Sequence, residues 1–148
     1  MLGRSIVALA AIAVATSAHA QSIKPEEAVK MRQGLMTAIK WQFAPMGAVV
    51  KGEAEFGQDM VARAVNLAAL SKIAPQGFPA DSDMVPNTKA KADIWEKPER
   101  FQAAMATLQA ETAKLAEIAR SGDEGSFKKQ FLAVNQACKD CHETFRSE

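Results

Sequence analysis

The sequence predicts an all-α fold: an antiparallel four-helix bundle with one long loop between the second and third helices. Three observations lead there. Apolar residues recur at steps of three and four in four separate stretches. Strand signals are scarce, with no Tyr in the chain and no sustained alternation of apolar and polar residues. Most connections between the periodic stretches are short, which makes successive helices antiparallel neighbours.

The first twenty residues stand apart. Arg4 precedes an apolar run from Ile6 to Ala15, and Ala18-His19-Ala20 has the small-x-small form of a cleavage site. These are the parts of a secretory signal peptide, cleaved after Ala20. The run is too short for the ~20 residues that a membrane-spanning helix needs. The expected domain is therefore 21–148, an exported chain of 128 residues with 17 basic and 17 acidic side chains. That balance gives no support for binding to nucleic acid or to an anionic membrane. A chain of this size can bury a core without disulfide staples.

The first helix opens at Lys24-Pro25-Glu26-Glu27, since proline suits a first helical position and acids suit the first turn. Val29, Met36 and Phe43 then mark its inner stripe, and the pattern continues to about Val50, with Pro45 expected to kink it or end its regular part. The second runs from about Gln58 to Lys72, with Met60, Ala64, Leu67 and Leu70 on one face. Residues 73–98 are rich in Pro, Gly, Asp and Asn and read as a long connection, pinned to the core by Phe78 and Trp95. The third starts near Pro98-Glu99 and stops at Gly122. The fourth starts near Ser126 and aligns Phe127, Phe131, Val134, Cys138, Cys141, His142 and Phe145.

The chemistry is concentrated in Cys138-Lys139-Asp140-Cys141-His142. Cys-x-x-Cys-His is the attachment signature of c-type haem. On a helix, positions i, i+3 and i+4 share a face. Two thiols can thus reach the vinyl groups of one porphyrin edge, while the neutral imidazole supplies an axial nitrogen to iron. Cys138 and Cys141 are the only cysteines, and His142 is the only histidine outside the leader. A structural zinc site would want four ligands. A dithiol redox site would want a strand-to-helix turn, and a disulfide between such close cysteines would constrain little of the chain. Lys139 and Asp140 read as a solvated face. Arg146, one turn after His142, either places positive charge near the imidazole on the proximal side or is simply a favourable cation at a helix C-terminus.

A second axial ligand would have to be a methionine. Met31, Met36, Met46, Met60, Met84 and Met105 are available, though methionines at helical spacing mostly fill cores. Met36 is singled out by its place on the inner stripe of the first helix. Arg32 and Gln33, four and three residues before it, either lie exposed or find polar partners such as haem propionates, to which an arginine can make paired, charge-assisted bonds.

Three segments together resemble the cytochrome c′ family: Lys24-Pro25-Glu26-Glu27-Ala28-Val29-Lys30-Met31-Arg32-Gln33-Gly34-Leu35-Met36, Ala92-Asp93-Ile94-Trp95, and Cys138-Lys139-Asp140-Cys141-His142-Glu143-Thr144-Phe145-Arg146. The resemblance implies a four-helix bundle with one covalent haem c per chain and a five-coordinate, high-spin iron. It makes Met36 and Phe78 the walls of an apolar distal pocket, Arg32 and Gln33 the pair at the haem edge, and, more weakly, Thr88 and Lys89 part of a loop that approaches the haem. It implies a periplasmic homodimer, paired through the first two helices, that binds NO and CO and takes part in NO tolerance or electron transfer with a redox partner left unnamed. A related low-spin electron carrier, with Met36 as sixth ligand, is the alternative. The sequence offers no distal histidine or other acid–base group for turnover, so an enzyme is not expected.

Overall fold

The computed structural model describes residues 23–148; the expected signal peptide lies outside the described residues. Five helices follow in order: α1 Pro25–Lys51, α2 Gln58–Ile73, the single turn α3 Asp93–Glu96, α4 Pro98–Ser121 and α5 Glu124–Phe145. The four long ones form the bundle. Among the described residues the only β pairing is an isolated bridge between Ala90 and Arg146.

The helix boundaries follow from local chemistry. α1 begins on Pro25 with Glu26 and Glu27 in its first turn, and ends where Gly52 turns left-handed at φ 74°. Pro45 does not end it; the helix runs on to Lys51. α4 likewise ends on a left-handed Gly122, at φ 78°. α5 starts two residues before the expected Ser126. Asp123 caps it, its carboxylate accepting from the Ser126 N–H at 2.9 Å and from the Ser126 hydroxyl at 2.6 Å.

α1 packs on α2, α2 on α4 and α4 on α5, and the α1–α5 side is the thinnest of the four. Aromatic contacts fix the antiparallel arrangement. Phe101 at the start of α4 meets Phe145 at the end of α5 edge-on at 5.4 Å, and Phe56, just after α1, meets Phe127 at the start of α5 at 4.8 Å. Phe43 of α1 stacks on Phe131 of α5 at 4.2 Å. Met46, Met60 and Met105 are buried in this core, as the helical spacing led one to expect. Between α2 and α4, Ser71 and Thr112 are buried and bridge their hydroxyls at 2.9 Å.

The long connection is ordered by specific contacts. A 3-10 turn, Ala74–Gly77, continues α2. The far end of the connection folds against the end of α5: the Lys91 N–H donates to Phe145 O, the Ser147 N–H donates to Lys89 O, and Lys91 Nζ donates to Glu143 O. Phe78 and Trp95 do pin the loop, packing against each other and, through Phe78, against Phe101 at 4.9 Å.

Candidate haem site

On α5 the two cysteines stand one turn apart, free and half-buried, against the apolar core. Burial and the neighbouring Cys141 push the Cys138 thiol up to about 11, and burial also raises Cys141. Both are therefore neutral thiols at ordinary pH. His142 follows on the exposed side of the same stripe. Partial burial, and then the positive charge of Arg146, lower its proton affinity and favour the neutral imidazole, the form with a lone pair to give. Arg146 stands just past α5, its N–H donating to His142 O at 3.0 Å. It thus acts as both sequence-based alternatives suggested: a cation at the helix end and a charge beside the imidazole.

The opposite wall belongs to α1. The Phe43–Phe131 stack closes the α1–α5 side. One heptad from Phe43 toward the α1 N-terminus lies Met36, and one heptad from Phe131 toward the α5 C-terminus lies Cys138. Each step is ~10 Å along a helix at 1.5 Å per residue, with only ~20° of drift around it. Because the helices are antiparallel, Met36 and Cys138 stand on facing walls of the same side. Met36, Cys138 and Cys141 are all partly buried and pack on the same core. On the α4 side of Cys141 there is a small cleft of about 220 Å³, lined in part by Ala104, Thr107, Asp140 and Thr144. It is smaller than the ~300 Å³ at which organic ligand sites begin.

One turn before Met36, Arg32 takes the second of the two places the sequence left open to it, buried with polar partners. It is not exposed; it is 3% accessible. Its Nη1 donates to Ser82 Oγ at 3.0 Å and, at the limit of hydrogen-bond length, to Gly77 O at 3.5 Å; its Nη2 donates to Ser82 O at 3.2 Å and Thr88 Oγ1 at 2.9 Å. The guanidinium carbon lies 5.4 Å from the Phe78 ring centre and 5.5 Å from that of Trp95. Both terminal nitrogens are thus engaged, so the paired bond to a carboxylate suggested by the sequence is not open to them in this arrangement. What remains is Nε–H, which is buried and has no partner. Gln33 is exposed and donates to Asn87 O at 3.0 Å, tying α1 to the same loop.

The other expected residues sort around these walls. Thr88 is a partner of Arg32, whereas Lys89 is exposed and its backbone carbonyl accepts from the Ser147 N–H just past α5. Phe78 belongs to the aromatic group with Trp95 and Phe101. Lys139 pairs with Glu143 at 3.7 Å on the solvated face. Met84 is 87% exposed at the loop and Met31 lies on α1, before Arg32. Residues that the sequence did not single out are Gly77 and Ser82. Gly77 counts only among the turn-forming residues of the connection, and Ser82, between two aspartates in an aperiodic stretch, carries no signal.

An antiparallel bundle whose last helix ends in Cys-x-x-Cys-His has the layout of the helical c-type cytochromes. The sequence matches the Cytochrome C′ family over residues 27–146, and the chain belongs to that family. It is 37% identical over 131 residues to the cytochrome c′ of Halomonas halodenitrificans, covering 84% of this chain and 99% of the relative. The solved structure of cytochrome c prime from Shewanella frigidimarina superposes with a TM-score of 0.81 at 36% identity, over 84% of this chain and 98% of that one. A nitric oxide complex of a variant of cytochrome c prime from Alcaligenes xylosoxidans superposes with a TM-score of 0.80 at 29% identity, over 86% and 99%.

Proposed function

We propose that this chain is an exported haem c protein that binds small neutral gases, NO and CO, at an iron held from one side by His142. Cys138 and Cys141 would carry the haem through two thioether bonds, with Met36 and Phe78 screening the opposite face and Arg32, Gln33 and Thr88 at its edge. Such a haem, when bound, supplies an iron that exchanges one electron and, where its sixth position is free, takes a diatomic ligand. The residues fit the group. The two thiols and the imidazole share one stripe of α5, on the thin side of the bundle and across from Met36. A buried guanidinium makes no ion pair among the described residues and keeps one N–H unpaired. Burying a charge without a counter-charge is costly. A prosthetic group that brings its own carboxylates would relieve that cost, and Arg32 Nε–H is the donor left to meet it, rather than the paired bond the sequence suggested. Relatives support the gas-binding part: the Alcaligenes protein has been seen with nitric oxide and, in another variant, with carbon monoxide.

The observation that carries the reading is the pairing of a single histidine on α5 with a thioether-type methionine wall on α1. The ferrous protein is expected to show a five-coordinate, high-spin absorption spectrum and to bind CO. A six-coordinate, low-spin spectrum that resists CO would refute it in favour of Met36 ligation and electron carriage alone. Either outcome leaves electron transfer open to a redox partner, and no catalytic role is assigned. The remaining parts of the reading are cleavage of residues 1–20, a periplasmic location and a homodimer through α1 and α2. No helix among the described residues is long and apolar enough to cross a membrane. Trp41, 73% exposed on α1 beside Arg63 of α2, marks an apolar face that a second copy would cover. Sedimentation of the wild type against Trp41→Ala tests the dimer: wild type should sediment as two chains and the variant as one, and a monomeric wild type would refute it.

A further inference from the structure

We propose that Ser82 is a positioning residue, holding the Arg32 guanidinium so that its one remaining N–H, at Nε, is presented to a carboxylate of the haem. The proposal rests on the haem reading above. Ser82 is fully buried. It meets the guanidinium twice, accepting from Nη1 with its hydroxyl at 3.0 Å and from Nη2 with its carbonyl at 3.2 Å. The hydroxyl is itself oriented, because it donates to Pro79 O at 2.9 Å. The same carbonyl accepts from Trp95 Nε1 at 2.9 Å, and Trp95 presents its ring to the guanidinium. A hydroxyl whose proton is committed to Pro79 turns only its lone pairs to Arg32. Ser82 therefore fixes the plane of the fork, and with it the direction in which Nε–H points.

Among the described residues no charged side chain bonds to the guanidinium. From α1 the guanidinium is flanked one turn away by Ala28 and Met36. From the 3-10 turn it meets the Gly77 carbonyl, from the loop Ser82, Thr88 and the Phe78 ring, and from α3 the Trp95 ring. Asp81 and Asp83, on either side of Ser82, are exposed and make no bond to it. The network thus consumes four of the five N–H groups with neutral oxygens and leaves the charge itself unanswered. A group used only to hold the loop would gain from an aspartate at the serine position; a group kept for an outside carboxylate would not.

The test uses the holoprotein, with the pH dependence of its reduction potential as the readout. A haem carboxylate beside a guanidinium ionises at lower pH than one without it, by one unit or more. Ser82→Ala should retain covalent haem and move the acid transition of the potential upward by about one pH unit. Thr88→Val, which removes the other side-chain acceptor, should move it the same way and covers the case in which the serine variant fails to fold. Arg32→Gln should move it at least as far, and adding Ser82→Ala to Arg32→Gln should then move it no further, because the serine acts only through the arginine. A transition that stays in place in Ser82→Ala, or one that shifts additively in the double variant, overturns the proposal while leaving the haem reading intact. Wild-type protein isolated without covalent haem overturns both.

Discussion

Replacing Gly77 by alanine tests the contact that seats the loop on α1. A Cβ at this position would stand 2.7 Å from Arg32 Cβ and 3.0 Å from Arg32 Cα. These atoms are anchored to the α1 backbone and cannot swing away, so the 3-10 turn must move instead. Overpacking of this kind costs ~1–3 kcal/mol. Against it stands the lost freedom of the unfolded chain, ~0.4–1 kcal/mol in favour of alanine; Gly77 is not among the positive-φ glycines, so backbone strain adds nothing. Taking the middle of each range, the net expectation is a loss of about 1.3 kcal/mol, or a fall in Tm of about 4–8 °C for a domain of this size. Gly34→Ala is the control. It makes the same chemical change inside α1, where a Cβ would meet nothing within 4 Å. There the helix gains ~0.5–1 kcal/mol, and Tm should rise by about 2–5 °C. Thermal melts of both holoproteins, followed by circular dichroism, decide the matter. If Gly77→Ala melts at or above wild type, the close approach of the turn to Arg32 is not what holds the loop.

Three further outcomes can be checked. Met36→Ala should open the space facing Cys138 and speed CO entry, measured by flash photolysis; an unchanged on-rate would mean that Met36 does not screen the iron. In haem-free chain, alkylation of Cys138 should follow a titration near 11 rather than the usual value near 9, which makes it about a hundredfold slower at pH 8. The sign for stability follows: a thiol whose proton is held more tightly in the folded chain contributes stability below its unfolded value and loses it as pH rises toward 11. Asp123→Ala removes the cap of α5 and should lower Tm. The hydrogen bonds from Ser126 hold the Asp123 carboxyl below its ordinary range, so the gap between variant and wild type should be full above that range and shrink as pH falls through it; a gap independent of pH would show that the charge does not matter to the cap.

The parts of the fold set by local chemistry were legible in the sequence. Pro25 with two glutamates, Gly52 and Gly122 are backbone signals, and they mark the helix ends found here. The Asp123 cap was missed although its chemistry is equally local, because Ser126 three residues on offers a competing start. Pro45 shows the opposite case: a strong local breaker overridden because α1 packs on both sides of it, with Met46 and Val49 buried beyond. The motif on α5 was legible because its three chemical groups are neighbours in sequence.

The far side of the site was not, and Arg32 shows why. Its spacing from Met36 placed it on an inward-leaning face, which is a property of one helix. Its partners come from 45, 50 and 56 residues away, on a loop with no period to read. An arginine followed by Gln, Gly and Leu gives no sign of whether water, a carboxylate or a serine will meet it. Only when the 3-10 turn and the loop are laid across α1 does it become clear that neutral oxygens take four of its bonds and leave one. That arrangement changes what the residue can do. A free fork would clamp any carboxylate, exposed or buried, whereas a fork held from behind offers a single N–H in one direction. On the role proposed for Arg32, the selectivity lies in the loop that does the holding, and a substitution at Ser82, far from Cys138 and His142 in the chain, is expected to register at the haem edge.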